Sequence, residues 1–296
     1  MRCTLPAMLP LLPIMVIVRL QGGIGNQLFQ YAAAYALAGR IGCPLAMDLS
    51  IYEKEKVRRY ALDRFNIPQT VVPPPFLRTG SPVMQRAMAA FGLRPFLTYR
   101  EPHCQYDPEF LNLSPPVQIR GYFQSERYFA PVASELRPQL KLAVPLSNGA
   151  MKVVREIAAS SMPISIHVRR GDYLLSEGQA LDIAYFQQAY SIMNALVARP
   201  ATYFVFSDDY EYAAASFDFM PDRVIVRGDP DRPWEDLVLM SRCRHHIIAN
   251  SSFSWWGAWL NGSSDKRIIG PRRWFAQSIA ARYNPIDLYP TGSILI

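Results

Sequence analysis

The segment PISIHVRRGDY (163–173) joins the apolar pattern of a buried strand to four side chains that could do chemistry: His167, Arg169, Arg170 and Asp172. A guanidinium offers a planar fork of N–H donors that matches the oxygens of a phosphate. Arg169 is therefore a candidate anion-binding residue, and an ion pair with Asp172 or another carboxylate at the sheet edge is the alternative. Because neighbouring side chains of an extended chain point in opposite directions, we expect one arginine to face a ligand and the other to anchor its loop to acidic residues.

A glycine-rich turn, QGGIGNQ (21–27), follows the first apolar strand pattern of the chain. It matches the dinucleotide-binding fingerprint only loosely, because the third glycine is replaced and no acidic residue other than Asp48 ends the next strand. Gly23 and Gly25 permit close approach to the backbone, and the amides around them and Asn26 could face an anion. A tight turn without a ligand is the alternative.

A similar arrangement occurs in ANSSFSWWGAW (249–259), where a helix pattern begins directly after a strand. Asn250, Ser251 and Ser252 are good N-cap residues. The same amides and hydroxyls, at the positive end of the helix dipole, would also cradle a phosphate. The tryptophans that follow are expected to pack in the core rather than to stack on a ligand.

The remaining polar groups of the second half have structural interpretations. Asp208 and Asp209 could suggest a metal site, but nothing in the sequence favours a metal over a structural contact. Asp236 could be an ordinary acid in the first turn of a helix. His245 and His246 have no partner ligands at metal-binding spacing, so we interpret both as structural.

Short strands alternate with helices throughout the second half, which predicts a parallel doubly wound α/β sheet. Ligands of such sheets bind beyond the carboxyl ends of the strands, next to helix N-termini. Every candidate residue above falls at that edge. The predicted strands span 164–168, 202–209, 223–228, 246–250 and 267–271, and the predicted helices span 182–198, 211–217, 233–245 and 251–262.

The first half is predicted to open with a strand at 14–20, a helix beginning at Leu28 and a second strand at 43–49. Residues 66–120 are interrupted by many prolines and predict little beyond a helix at 83–91. A polar turn composition and a change in charge balance indicate a domain boundary near 142–152.

The length of 296 residues suits two domains of ordinary size. The formal net charge is +7, and residues 1–150 contain the whole excess, with 16 Lys and Arg against 9 Asp and Glu. Aromatic residues do not alternate with the basic ones, so we expect no nucleic-acid partner. A solvated helix face of mixed sign is favoured over an anionic partner or a membrane surface.

The four cysteines are scattered, which predicts free thiols in a reducing compartment. The apolar N-terminus is interrupted by prolines and is shorter than a membrane span of about 20 residues. It also lacks the small-residue cleavage site of a secretory signal. We interpret the first 14 residues as an extension ahead of the first strand.

Taken together, VRLQGGIGNQLFQYAAAYALA, SIHVRRGDY, FSDD and LMSRCRHHIIANSSFSWWGAWLN resemble the α-1,2-fucosyltransferases of glycosyltransferase family 11. The resemblance implies a GT-B-like α/β fold, with two Rossmann-like doubly wound domains that face a central cleft. The acceptor-side domain would be 1–150 and the GDP-sugar domain 151–296. It further implies inverting transfer from GDP-β-L-fucose to the 2-hydroxyl of a terminal galactose, in an α-1,2 linkage, with no metal or other cofactor.

Site residues carried over by this resemblance fall into three groups. Arg169 would hold the donor's diphosphate, and His167 and Asp236 would contact the guanosine. The loop at the helix start, and the glycine loop across the cleft, would surround the phosphates. The residues of these two loops are Ser251, Ser252 and Phe253, and Gly23, Gly25 and Asn26.

The resemblance also frames the catalytic roles. Arg169 would stabilise the charge that develops on the leaving GDP. Attack by the acceptor hydroxyl needs a general base, for which Asp172 and Glu177 are the nearest candidates. The choice between them stays open, and Asp172 could instead brace Arg170.

The expected partners are GDP-fucose and a galactose-terminated glycan or lipid-linked oligosaccharide. Vertebrate members carry a membrane anchor and a stem that are not found in this sequence, so we expect a bacterial, cytoplasmic enzyme with at most peripheral contact with the inner membrane. The alternatives are another nucleotide-sugar transferase of the same fold and a non-catalytic protein that binds nucleotides or carbohydrates.

Overall fold

The protein contains two parallel β-sheets that pack against helices. The computed structural model describes residues 14–55, 57–72, 97–175, 179–276, 280 and 283–296. The predicted helix at 83–91, the N-terminal extension through residue 13 and the candidate base Glu177 lie outside the described residues.

The strands are β1 Val16–Arg19, β2 Leu45–Asp48, β3 Leu97–Arg100, β4 Val117–Arg120, β5 Pro163–Val168, β6 Thr202–Ser207, β7 Arg223–Val226, β8 His245–Ile247, β9 Ile268–Gly270 and β10 Ile294–Leu295. The described helices are α1 Ile24–Ile41, α2 Ala133–Gln139, α3 Asn148–Ala159, α4 Ile183–Val197, α5 Tyr210–Ser216, α6 Pro233–Ser241 and α7 Ser252–Leu260. Every strand and helix predicted for the second half is therefore confirmed, with ends that differ by a few residues.

The first sheet has the order β2-β1-β4-β3, with all strands parallel. Strand β1 lies in the middle, and Val16 pairs with Leu45 on one side and with Val117 on the other. Strands β3 and β4 come from the proline-rich region, where the sequence predicted little. Each has only four residues, which is too short for a clear alternation of apolar and polar positions.

The second sheet has the order β10-β9-β8-β5-β6-β7 and is also parallel. Strand β5 lies between β8 and β6, and all but its first residue are buried. Its central position places the residues that follow Val168 at the carboxyl edge of the sheet. The loop after β8 lies at the same edge, because neighbouring parallel strands end on the same side.

An apolar core runs from the first sheet through α1 and α7 to helices of the second sheet. The ring of Phe29 on α1 lies 4.4 Å from that of Trp255 and 5.0 Å from that of Trp256, measured between centroids. Phe129 stacks on Trp256 at 5.4 Å. Both tryptophans are fully buried, which confirms that they belong to the core.

The chain passes from the first sheet to the second between residues 143 and 147. The backbone of Ala143 still pairs with Arg64, whereas Ser147 donates two hydrogen bonds to Glu235 of α6. Helix α3 runs through residue 150, and the division into domains 1–150 and 151–296 stays a prediction. Within the described part of the chain, no helix combines the length and the apolar character that crossing a membrane requires.

Helix α1 begins at Ile24, so the predicted helix start at Leu28 is wrong and Gly25 lies in the first turn. Gly22 makes the preceding bend with a φ of +75°, which favours glycine. The backbone of Gly25 lies directly against α7: a Cβ there would be 2.6 Å from the carbonyl carbon of Ser252 and 2.7 Å from the nitrogen of Phe253. Both contacts are backbone atoms, so no side-chain rotation could relieve the overlap.

Replacing Gly25 with alanine should therefore push the starts of α1 and α7 apart. We expect Gly25→Ala to lower the free energy of unfolding by about 1–3 kcal/mol, the usual range for overpacking. Gly39→Ala in the same helix is the matched control, because no described atom outside its own neighbourhood lies within 4 Å of the new Cβ. That change should stabilise the helix by about 0.5–1 kcal/mol. Urea unfolding of both variants measures the difference, and equal stabilities would contradict the close contact.

Candidate active site

The carboxyl edges of the two sheets meet where α1 and α7 begin. Strand β1 leads into the glycine loop 21–23, β5 leads into Arg169, and β8 is followed by the residues that cap α7. The structure therefore brings together the three segments that the sequence singled out. The site is built from loop residues and helix starts at these edges.

Arg169 is held between two carboxylates. Its guanidinium nitrogens lie 2.5 Å from Oδ1 of Asp172 and 2.6 Å from Oδ2 of Asp208. Its side chain is 20% exposed, and its guanidinium lies 5.5 Å from the ring centre of Tyr173. The ion pair that the sequence offered as the alternative for Arg169 is therefore present in the structure.

Arg170 binds acidic residues of the loop after β6, as predicted for one of the two arginines. Its Nε lies 3.0 Å from Oδ2 of Asp209, and its backbone N–H donates to Asp208 at 2.8 Å. The guanidinium also lies over the ring of Tyr212, 3.5 Å from its centre. The prediction that Asp172 could brace Arg170 is wrong, because Asp208 and Asp209 take that role.

Asp172 instead joins the two halves of the chain. Its Oδ1 accepts from Arg169, and its Oδ2 accepts from Arg58 at 2.6 Å. Arg58 comes from the charged segment EKEKVRR of the first half, which the sequence alone assigned to a solvated surface. No sequence signal distinguished Arg58 from its basic neighbours, since only the fold brings it to Asp172.

The start of α7 lies beside both His167 and the glycine loop. Ser251 is the N-cap and accepts a hydrogen bond from the backbone N–H of Phe253 at 3.3 Å. The ring of Phe253 lies 5.3 Å from that of His167. Nδ1 of His167 is buried and has no hydrogen-bond partner among the described residues. Burial, reinforced by the positive charge of Arg169, lowers the pKa of His167 to about 3, so the ring is neutral at pH 7.

Asn250 supports the site rather than capping α7. Its Nδ2 donates to the carbonyls of Gln179 and Trp274, at 2.9 and 3.0 Å, and its own carbonyl accepts from the Tyr173 hydroxyl. These bonds tie the loop after β5 to the loop after β9. The side-chain oxygen of Asn250 is buried without a partner in the described structure.

Asp236 lies in the first turn of α6, next to the chain after β7. A Cβ on Gly228 would be 2.3 Å from its Oδ2, so glycine is required there for Asp236 to take this place. Among the described residues, none donates a hydrogen bond to its carboxylate or forms an ion pair with it. Burial, and then repulsion from Glu235 and Asp229, raises the pKa of Asp236 to about 7. No described contact links Asp236 directly to Arg169.

The loop after β4 was not identified from the sequence. Gln124 of this loop donates to Oδ1 of Asn26 at 2.7 Å, and the side chain of Gln30 donates to the carbonyl of Gly121. Glu101 at the end of β3 accepts from the backbone N–H groups of Tyr122 and Phe123. Asn26 is therefore held by this loop, and Tyr122 in the same loop is exposed.

The aspartates that could have suggested a metal site are engaged with arginines instead. Asp208 binds Arg169 and the backbone of Arg170, and Asp209 binds Arg170 and caps α5. In the described ranges, no group of three or more His, Cys, Asp or Glu side chains is arranged to hold a metal ion. His246 contacts Ser165 and Asn261, and His245 accepts from the backbone of Arg267, so both histidines are structural as predicted.

Solved structures confirm that the fold is GT-B-like. A mutant of Arabidopsis thaliana FUT1 in complex with GDP matches 86% of this chain and 70% of its own, at 13% identity and a TM-score of 0.54. The α-1,6-fucosyltransferase NodZ of Bradyrhizobium, soaked with GDP-fucose, matches 84% of this chain and 92% of its own, at 17% identity and a TM-score of 0.50. At these identities the likeness concerns the fold.

Sequence relatives identify the family. An α-1,2-colitosyltransferase of Escherichia coli is 32% identical over 91% of this chain and 96% of its own length. The galactoside α-(1,2)-fucosyltransferase 1 of Ateles belzebuth is 28% identical over 81% of this chain and 64% of its own. The family model "Glycosyl transferase family 11" matches residues 105–284. The chain belongs to glycosyltransferase family 11, and the resemblance noted in the sequence is confirmed.

The anchoring role of Arg170 can be tested apart from any activity. Arg170→Gln removes the ion pair with Asp209, which caps α5, and the cation–π contact with Tyr212. The Arg170 side chain is 22% exposed. We expect it to lower the free energy of unfolding by about 1–3 kcal/mol. Arg227→Gln is the control, because Arg227 also pairs with a glutamate and lies over a tyrosine but is 71% exposed. It should cost less than about 1 kcal/mol. Equal losses in thermal unfolding would show that Arg170 is an ordinary surface residue.

Proposed function

We propose that the protein transfers L-fucose from GDP-β-L-fucose to the 2-hydroxyl of a terminal galactose, with inversion to an α-1,2 linkage and without a metal. The observation that carries the proposal is the position of Arg169, which lies in the loop that follows the central strand β5. The starts of α1 and α7 meet at the same sheet edges. Membership of family 11 and the names of the relatives support the choice of sugar and linkage.

In the proposed reaction, negative charge develops on the leaving GDP and has to be stabilised by the site. The acceptor oxygen attacks C1 of fucose, the bond from C1 to the phosphate oxygen breaks, and its electron pair leaves with GDP. The Arg169 guanidinium and the amides at the start of α7 would stabilise that negative charge where it develops. The loss of the acceptor's proton completes the reaction.

The general base stays a prediction. Asp172 and Glu177 are the candidates, and Glu177 is outside the described residues. Both oxygens of Asp172 accept hydrogen bonds from arginines here, so its carboxylate would have to leave at least one of them before it could take a proton.

The guanosine would lie beside His167 and Asp236. His167 offers a neutral ring with an unpartnered Nδ1, and Asp236 offers a half-buried carboxyl to which no described residue donates a hydrogen bond. Guanine carries adjacent N–H donors that a carboxylate can accept together. A ligand that supplied those donors would satisfy a group that is otherwise costly to bury.

A second candidate reaction follows from the relatives. Because one relative is an α-1,2-colitosyltransferase, the sugar could be colitose, with the same linkage and the same nucleotide site. For the acceptor we propose a galactose-terminated glycan or lipid-linked oligosaccharide, met in the cytoplasm with at most peripheral membrane contact.

Product analysis tests the proposal. The protein is incubated with GDP-fucose or the corresponding colitose donor and a panel of galactose-terminated acceptors, with and without EDTA. We expect an α-1,2-fucosylated galactoside by NMR, formed at a rate that EDTA does not change. Transfer of colitose alone would support the second candidate. Loss of turnover with EDTA that Mn²⁺ or Mg²⁺ restores would contradict the metal-independent mechanism.

Arg169 should matter more in the transition state than in the ground state. Arg169→Lys keeps the charge but loses the bidentate fork, so we expect kcat to fall by about 10²–10³, the usual effect of losing one such group. Arg169→Ala should nearly abolish transfer. Melting curves check that both variants stay folded. A near-wild-type kcat in folded Arg169→Ala would show that the residue belongs only to the ion-pair network.

Asp236 predicts a pH-dependent affinity for the donor. With a pKa of about 7 in the free protein, its carboxyl is mostly protonated at pH 6 and mostly ionised at pH 8. Because guanine donors need the ionised form, affinity for GDP-fucose should rise by about tenfold from pH 6 to pH 8. Titration calorimetry at the two pH values measures this affinity. GDP-fucose is the ligand used because its diphosphate diester does not titrate in this range. The rise should vanish in Asp236→Asn, and an unchanged rise in that variant would assign it to another group.

A further inference from the structure

Arg58 reaches the site from the first half of the chain. One guanidinium nitrogen lies 2.6 Å from Oδ2 of Asp172. The other lies 4.0 Å from the point that a Cβ on Gly23 would occupy, so the guanidinium lies over the glycine loop. Its side chain is 35% exposed, and the residue lies in none of the four segments that carry the resemblance. The guanidinium therefore lies at the start of α1, opposite Arg169 across Asp172.

A buried glutamine fixes this position. Gln27, in the first turn of α1, is fully buried. Its Nε2 donates to the carbonyl of Gly22 at 3.0 Å and to that of Arg59 at 2.8 Å, and its Oε1 accepts from the backbone N–H of Ala61 at 3.0 Å. One side chain therefore ties the glycine turn to the segment that carries Arg58.

Asp172 holds two guanidiniums at once. Its carboxylate oxygens contact Arg169 and Arg58 at 2.5 and 2.6 Å, and its side chain is 47% exposed. A diphosphate has more charge and more oxygens than one carboxylate, and can meet both forks with bidentate hydrogen bonds. Asp172 lies in the short turn Gly171–Leu175, whose side chains include no buried residue, so it can turn towards solvent.

We propose that Arg58 is a second phosphate-binding residue, and that the donor's diphosphate takes the place of Asp172 between Arg58 and Arg169. This inference rests on the proposed function, because it assigns a further residue to the same donor site. As the C1–O bond breaks, the charge that moves to the phosphate next to fucose meets one arginine from each half of the chain. When no donor is bound, the carboxylate of Asp172 lies between the two guanidiniums and offsets their repulsion.

Arg58→Gln and Arg59→Gln form a matched pair that tests the proposal. The two residues are adjacent and each substitution removes one positive charge, but the Arg59 side chain is 86% exposed and its nearest carboxylate, on Asp231, is 3.6 Å away. We expect Arg58→Gln to weaken GDP binding by about tenfold or more in calorimetry, and to lower kcat as well. Arg59→Gln should change both by less than about twofold. Equal effects of the two substitutions would overturn the proposal.

Two further measurements keep the test decisive. If Arg58→Gln lowers the melting temperature, Arg58→Lys replaces it, with Arg59→Lys as its control, because lysine keeps the charge and loses only the fork. Asp172→Asn should tighten GDP binding several-fold, since it removes the competing charge, and weaker binding would contradict the exchange. GDP binding needs neither the sugar nor the acceptor. A failed transfer assay would therefore overturn the proposed function alone, whereas equal GDP affinities of the Arg58 and Arg59 variants would overturn this inference alone.

Discussion

The contact between the backbone of Gly25 and the backbone of Ser252 and Phe253 is the constraint on which the rest of the site depends. It brings the N-terminal ends of two helices, one from each sheet, to the same point. Each helix end carries first-turn amides and the positive end of a dipole. The apolar packing of Phe29 against the tryptophans of α7 holds this arrangement from the other side. The anion-binding role proposed for the site thus rests on how the two halves pack.

Ion pairs hold the two arginines beside this junction in place. The carboxylates of Asp172 and Asp208 hold Arg169, while Arg170 is held on the other side of the loop by Asp209 and Tyr212. Burial lowers the pKa of His167, which keeps its ring neutral, and raises the pKa of the Asp236 carboxyl. Cationic groups therefore lie at the position proposed for the phosphates. A neutral histidine and a carboxyl of raised pKa lie at the position proposed for guanine.

The sequence predicted the second sheet, because its strands and helices show clear local periodicity. It did not predict that α1 begins at Ile24 with Gly25 in its first turn, since glycine is a poor helix former and the reason for this start is tertiary. Arg58 was missed for a similar reason: its segment has the composition of a solvated surface, and only the support from Gln27 brings it to the site. Short strands in a proline-rich region, such as β3 and β4, carry too few residues to show a period.

A crystal structure of the protein with GDP bound is the most direct test of the account. The account predicts diphosphate oxygens about 3 Å from the Arg169 guanidinium and from the amides at the start of α7, the usual hydrogen-bond distance. The guanine base should lie beside Asp236. A diphosphate bound elsewhere, with Arg169 still paired to both Asp172 and Asp208, would contradict the claim that the junction of the two helix starts is the donor site.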